Sequence, residues 1–131
     1  MELNGQTLTL AEIATVAFGE APVKVSASAR PLVSASRRVV EGIVARDDIV
    51  YGVSTGFGKL SDVRIPHDAL AELQLNLVRS HACGIGNPLS EPEVRAMMLL
   101  RANVLALGFS GIGLEIIDTL CELLNRRVSP L

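Results

Sequence analysis

The residues with the most chemical reach stand in two short runs. The run Tyr51-Gly52-Val53-Ser54-Thr55-Gly56-Phe57-Gly58 sets a phenol among glycines. The phenol can give or take a proton, and glycine permits positive φ and close approach of backbone to a ligand. A phenol is a poor base at neutral pH unless nearby dipoles or charges stabilise phenolate. The loop fits no phosphate-binding spacing, because no Gly-Lys-Ser/Thr follows it. On spacing alone it reads as a surface turn whose tyrosine packs and makes one hydrogen bond. The second run, Arg79-Ser80-His81-Ala82-Cys83-Gly84, carries an imidazole able to bond to a substrate or exchange protons with it. A histidine in such a place more commonly caps or packs. No His, Cys or acid stands three or four residues from His81, and His67 is isolated, so no metal site is expected. Ser80 and His81 are not expected to act as nucleophile and base, since neighbours on a helix point in different directions.

These groups need elements to hold them. Met1 to Thr9 alternates weakly and suggests a short edge strand or hairpin, and Leu10 to Ala17 suggests one or two helical turns closed by Gly19 and Pro22. Ser26 or Ser28 offers an N-cap to a helix through Val33, Ser36, Val40 and Ile43 that runs to about Arg46. Asp47 to Arg64 reads as a loop. Pro66 and Asp68 open a third helix with Leu70, Leu73, Leu77 and Val78 on its apolar face, ended by Gly84 and Gly86. His81 then falls on its last turn. Ser90 with Glu93 makes a capping box, and Pro92 sits where a missing N–H costs little, which predicts a fourth helix from Glu91 to about Leu107. Gly108 stops it. Ser110 then caps a fifth helix that ends near Arg126 and Arg127, whose charges favour its carboxyl end. The predicted class is mainly α with a small β element at the start.

Composition narrows the partners. The 131 residues, 49% of them hydrophobic, suffice for a single domain burying roughly two thirds of its unfolded surface. A net charge of -2, from 12 Lys+Arg and 14 Asp+Glu, gives no footprint for nucleic acid or an acidic membrane surface. A small organic partner is expected instead. The start lacks a secretory or transit layout, which points to the cytoplasm, where Cys83 and Cys121 are expected to stay unpaired. Ala96 to Ile117 is apolar, but Arg101 and the glycines Gly108, Gly111 and Gly113 argue for two buried or interface-forming helices rather than a membrane span.

Three linked blocks then match one family. The run from Tyr51 to Gly58, the run Leu73-Gln74-x-Asn76-Leu77-x-x-Ser80-His81, and Arg101-Ala102-Asn103 through Leu107-Gly108-Phe109-Ser110-Gly111 together resemble the aromatic amino-acid ammonia-lyases, and within them the histidine enzymes. The match covers most of the chain from about Val50 onward. The resemblance implies the helical amino-terminal part of the ammonia-lyase fold, and an enzyme that eliminates ammonia from an amino acid using a methylidene-imidazolone (MIO) electrophile formed from an internal Ala-Ser-Gly. It makes Tyr51 the base that removes the β-proton, places Thr55, Gly56, Phe57 and Gly58 in the lid loop, and makes His81, with Ser80, a substrate ligand. Phenylalanine and tyrosine relatives carry Phe-Leu or His-Leu where this chain has Ser80-His81. An imidazole substrate needs a hydrogen-bonding partner that leucine cannot give.

The resemblance therefore implies L-histidine as substrate, urocanate as product, and a homotetramer at full length. Some tyrosine aminomutases share a histidine here, so an MIO-type tyrosine aminomutase is one alternative. The 131 residues contain no Ala-Ser-Gly, so the chain is expected to be an incomplete amino-terminal domain, silent alone. The other alternative is a short oligomerisation or regulatory module derived from the family.

Overall fold

In a computed structural model the chain is described at residues 1–19, 21–61, 63 and 65–130. Arg64, the expected end of the glycine loop, and Leu131 lie outside the described residues. The chain divides into two compact units, Met1–Arg38 with Asn87–Leu131, and Val39–Gly86. Every buried apolar side chain among the described residues belongs to the first.

The strand at the start, β1 (Glu2–Leu3), is the short edge strand expected there rather than part of a hairpin. It pairs in parallel with β2 (Lys24–Val25), Leu3 opposite Val25. Parallel neighbours need a crossover, and α1 (Leu10–Ala17) supplies it. Thr9 and Glu12 form a capping box at the start of α1, with the Thr9 N–H donating to Glu12 Oε2 at 2.7 Å and the Glu12 N–H donating to Thr9 Oγ1 at 3.3 Å. That Thr-x-x-Glu signature is as plain in the sequence as the later one. The Lys24–Glu2 ion pair beside the strands is exposed and adds little.

Helix α2 (Ala29–Arg46) starts where the Ser26 hydroxyl accepts from the Ala29 N–H at 3.2 Å, so Ser26 rather than Ser28 is the cap. It ends with Asp47 at φ 59, where the Asp47 and Asp48 amides turn back to the Val44 and Ile43 carbonyls. Helix α4 (Glu91–Leu105) starts on the expected box, with the Ser90 N–H donating to Glu93 Oε2 at 2.9 Å. It stops two residues earlier than its apolar pattern suggests. Gly108 makes the stop. Its φ is +78, and a Cβ there would stand 2.7 Å from the Leu32 backbone carbon, so no larger residue fits. Helix α5 (Leu114–Asn125) begins at Gly113, not Ser110, because Gly111 is held away from helical geometry by the Ser36 hydroxyl, which accepts its N–H at 2.9 Å.

The core lies where α1, α4 and α5 meet the strand pair, around Leu3, Val16, Leu99, Ala102, Ile117 and Leu124. Helix α4 leaves Met97, Leu100 and Val104 exposed opposite its buried face, beside the exposed Arg101. Helix α5 turns Glu115 and Glu122 to its exposed side. No helix among the described residues is long and apolar enough to cross a membrane.

At the centre of this unit a guanidinium is 2% exposed. Arg95, on α4, donates from Nε to the Ala17 carbonyl at 3.0 Å and the Val16 carbonyl at 3.2 Å, from Nη2 to Val16 at 2.8 Å, and from Nη1 to Leu124 at 2.9 Å. Those carbonyls close α1 and α5. Each helix end carries orphan acceptors and partial negative charge, and one cation answers both. Two asparagines act similarly. Asn103 accepts from the Gly5 N–H at 3.1 Å and donates to the Gln6 carbonyl at 2.8 Å, and Asn125 bonds both backbone groups of Val23 at 2.8 and 2.9 Å.

Replacing Arg95 by Met leaves the buried Ala17 carbonyl without its donor and takes one donor each from the Val16 and Leu124 carbonyls, which keep the Gly19 and Arg127 amides. The unfolding free energy should fall by about 3 kcal/mol or more, and Arg95→Lys, which keeps the charge but loses the planar fork, should fall less, both read by equilibrium denaturation.

Bonds from Thr9, chiefly its backbone N–H, hold the Glu12 carboxyl below the usual carboxylate range, and the Ser90 hydroxyl, followed by its N–H, does the same for Glu93. Both groups are depressed on folding, so their stabilisation is present above the ordinary carboxylate pKa and is lost as pH falls through the lowered values. Thermal midpoints measured across the acid range should drop more for the wild type than for the Glu12→Gln, Glu93→Gln double variant.

Candidate functional site

Both chemical runs belong to the unit Val39–Gly86. With no buried apolar side chain of its own among the described residues, this unit fixes its loop by hydrogen bonds. Ser54 is the brace. Its hydroxyl is buried, accepts the Val50 N–H at 2.9 Å and donates to the Asp48 carbonyl. The Val53 and Ser54 amides both return to the Val50 carbonyl, which winds residues 50–54 into a tight turn. Gly52 takes φ +76 inside that turn, a value a side chain would resist. Beyond it, the Gly56 N–H donates to the Val63 carbonyl and the Ile65 N–H to the Ser54 carbonyl, tying the two arms of the loop together.

The turn carries Tyr51 outward. Its side chain is 63% exposed, and its ring meets Phe57 edge to face, the centroids 6.1 Å apart and the planes at 73°. No hydrogen bond to its hydroxyl appears among the described residues. The phenol is thus oriented by its ring and open at its oxygen, unlike a tyrosine packed and bonded once.

The remaining lid residues divide by environment. Thr55 is 1% exposed and its hydroxyl bonds the Gly56 carbonyl at 3.0 Å, so it serves the loop's own backbone. Gly56 is buried, Phe57 half-buried, and Gly58 exposed at the start of a 3₁₀ turn, Gly58–Leu60. Ser54, whose role the sequence alone did not suggest, holds the turn; its neighbours Asp48 and Val50 lie just outside the glycine pattern.

A second 3₁₀ turn, His67–Ala69, leads into α3 (Leu70–His81). Leu70, Leu73 and Leu77 are half-buried and Val78 is 65% exposed, so the expected apolar face is only partly covered. His81 is the last residue of α3, as its spacing predicts. One expectation needs correcting. Ser80 and His81 do not diverge: Ser80 Oγ stands 3.0 Å from His81 Nδ1, because both side chains fold back onto one acceptor, the Leu77 carbonyl, at 2.8 and 2.9 Å. A helix end makes this possible. Tyr51 and His81 share no hydrogen bond among the described residues.

The other reactive groups stand apart from this chemistry. Cys83 and Cys121 are free thiols. Burial, with the Asp118 charge adding to it, pushes the Cys121 thiol up to about 11, which makes it inert at neutral pH. Among the described residues no group of three or more His, Cys, Asp or Glu is arranged to hold a metal. An apolar groove of about 410 Å³, lined by Pro88, Leu89, Val94, Met97, Met98 and Pro130 among others, lies in the first unit and includes none of the predicted site residues.

The third matching block, Arg101-Ala102-Asn103 to Gly111, proves architectural where its bonds are seen: Asn103 holds the segment after β1, Gly108 ends α4, and Gly111 docks on Ser36.

Residues 8–131 match the aromatic amino acid lyase family. A histidine ammonia-lyase of Koribacter versatilis is 55% identical over 130 residues, which are 99% of this chain and 25% of that protein. Among solved structures, a tyrosine aminomutase mutant with bound ligand superposes with a TM-score of 0.93 at 35% identity, over 99% of this chain and 25% of its own. Histidine ammonia-lyase from Trypanosoma cruzi does so with a TM-score of 0.85 at 38% identity, over 95% of this chain and 24% of its own. The chain thus spans about a quarter of the length of the relatives it matches. With its sequence blocks, helical order and match from residue 8 onward in agreement, the chain belongs to the aromatic amino acid lyase family.

Proposed function

We propose that this chain is the amino-terminal part of a histidine ammonia-lyase, which converts L-histidine to urocanate and ammonia. The observation that carries the reading is the 55% identity to such an enzyme across essentially the whole chain. Tyr51, open at its oxygen, is the base in this reading. It takes the β-proton, the electrons of that C–H bond form the new double bond, and the C–N pair leaves with ammonia. His81, with Ser80, recognises the substrate ring, and the loop from Thr55 to Gly58 covers it.

Ammonia is a poor leaving group, and the family's MIO electrophile supplies the activation. The residues present do not fit it, since no Ala-Ser-Gly occurs in the sequence. This chain supplies proton removal and ring recognition, and by itself should give no urocanate. The parent enzyme is taken to be a cytoplasmic homotetramer, and the exposed Met97, Leu100, Val104 and Phe109 side chains suit burial against further protein.

A second reading, an MIO-type tyrosine aminomutase, draws on the TM-score of 0.93 with such an enzyme. The product separates them, a β-amino acid against an unsaturated acid.

The test uses the parent coding sequence and follows urocanate absorbance. In the parent, Tyr51→Phe should lower kcat by about 10²–10⁴, and His81→Leu should lower kcat/KM for L-histidine by roughly tenfold to a hundredfold. No urocanate from a protein shown to carry the electrophile sinks the reading.

A further inference from the structure

At the end of α3 three groups converge: Ser80 Oγ and His81 Nδ1 each reach the Leu77 carbonyl, at 2.8 and 2.9 Å, and stand 3.0 Å from one another. A carbonyl oxygen only accepts, so the imidazole nitrogen beside it must carry hydrogen. The serine leads to the same answer. Its single proton is directed at the Leu77 carbonyl, leaving Oγ as an acceptor for Nδ1–H. The opposite arrangement, with Ser80 donating to a bare Nδ1, would set two lone pairs against each other at 2.9 Å.

We propose that Ser80 is a positioning residue that fixes the tautomer of His81, so that the neutral ring holds hydrogen on Nδ1 and presents Nε2 as a hydrogen-bond acceptor. The bond made by one ring nitrogen decides the state of the other. No partner for Nε2 appears among the described residues, and His81 is exposed. A free acceptor recognises a donor. The ligand it takes is one whose ring bears an N–H, as a neutral imidazole does, or an O–H, and it gives no bond to an unsubstituted phenyl ring. In this account Ser80 acts on ring specificity through His81. The inference rests on the proposed reading only for what Nε2 faces; the tautomer is a property of this chain.

The chain has two histidines, His67 and His81, which makes a direct measurement simple. Long-range ¹H–¹⁵N NMR spectra of the imidazoles, recorded at mildly alkaline pH, assign the hydrogen to one nitrogen or the other. His81 should show it predominantly on Nδ1, whereas His67 should show the mixture of a solvated ring. In Ser80→Ala the Nδ1–H form should fall by about twofold or more, and Ser80→Thr, which restores the hydroxyl, should restore it.

A His81 spectrum matching that of His67 overturns the proposal. A tautomer ratio unchanged in Ser80→Ala overturns the role of Ser80 and leaves the Leu77 carbonyl as the sole determinant. Ser80 is exposed, so losing its hydroxyl disturbs no packing, and the wild-type spectrum alone can refute the tautomer. Failure here leaves the urocanate assay untouched, and a parent inactive on L-histidine leaves the measured tautomer standing.

Discussion

One buried guanidinium organises the first unit. Arg95 stands where α1 and α5 end, and its bonds go to carbonyl oxygens of Val16, Ala17 and Leu124. A helix terminus turned into a core exposes acceptors that no neighbour in its own helix can satisfy. Arginine meets this need better than lysine, because its planar fork reaches several acceptors at fixed angles. The arrangement dictates the rest of the packing: α4 must run close to both termini, and that contact brings Leu99 and Ala102 against Val16 and Ile117.

The two units solve the same problem by different means. In the first, apolar contact supplies cohesion, and Asn103, Asn125 and Arg95 satisfy the polar backbone that the core encloses. In the second, the described residues show no buried apolar side chain, and Ser54 together with paired backbone amides gives the glycine loop its form. Reactive groups accompany the second kind of structure. Tyr51 and His81 are each oriented from one side, by the Phe57 ring and by the Leu77 carbonyl with Ser80, and open on the other. A residue sunk in a core could not offer an atom to a ligand.

Much of this was legible from residues close together in sequence. The Ser90–Glu93 box, the stop at Gly108 and the end of α3 at His81 all rest on signals within one or two helical turns. Most of what escaped was set by distant partners, the local Thr9–Glu12 box apart. The strand pair joins Glu2 with Lys24, and nothing local marks Lys24–Val25 as a strand. Arg95 looks like one more exposed helix charge until the ends of α1 and α5 arrive, and Ser110 is a better cap than Gly113 until Ser36 takes the Gly111 amide. The site was read by motif. Spacing on its own pointed to a plain turn and to divergent Ser80 and His81 side chains, and it failed at the second because helix geometry fixes where Cβ points but not where a terminal rotamer folds back.

The pairing of Asn125 with Val23 has a bearing on how the chain is made. These residues are 102 positions apart, and the Val16–Arg95 bond spans 79. Contacts of such long range reward the chain only after the intervening loop has been closed, which slows folding relative to forming local helices. During synthesis, α1 can coil as soon as it emerges, but its carboxyl end stays open to water until Arg95 has been added. The second strand lacks its asparagine partner until residue 125 has been added. The strand pair is therefore translated well before the residues that secure it.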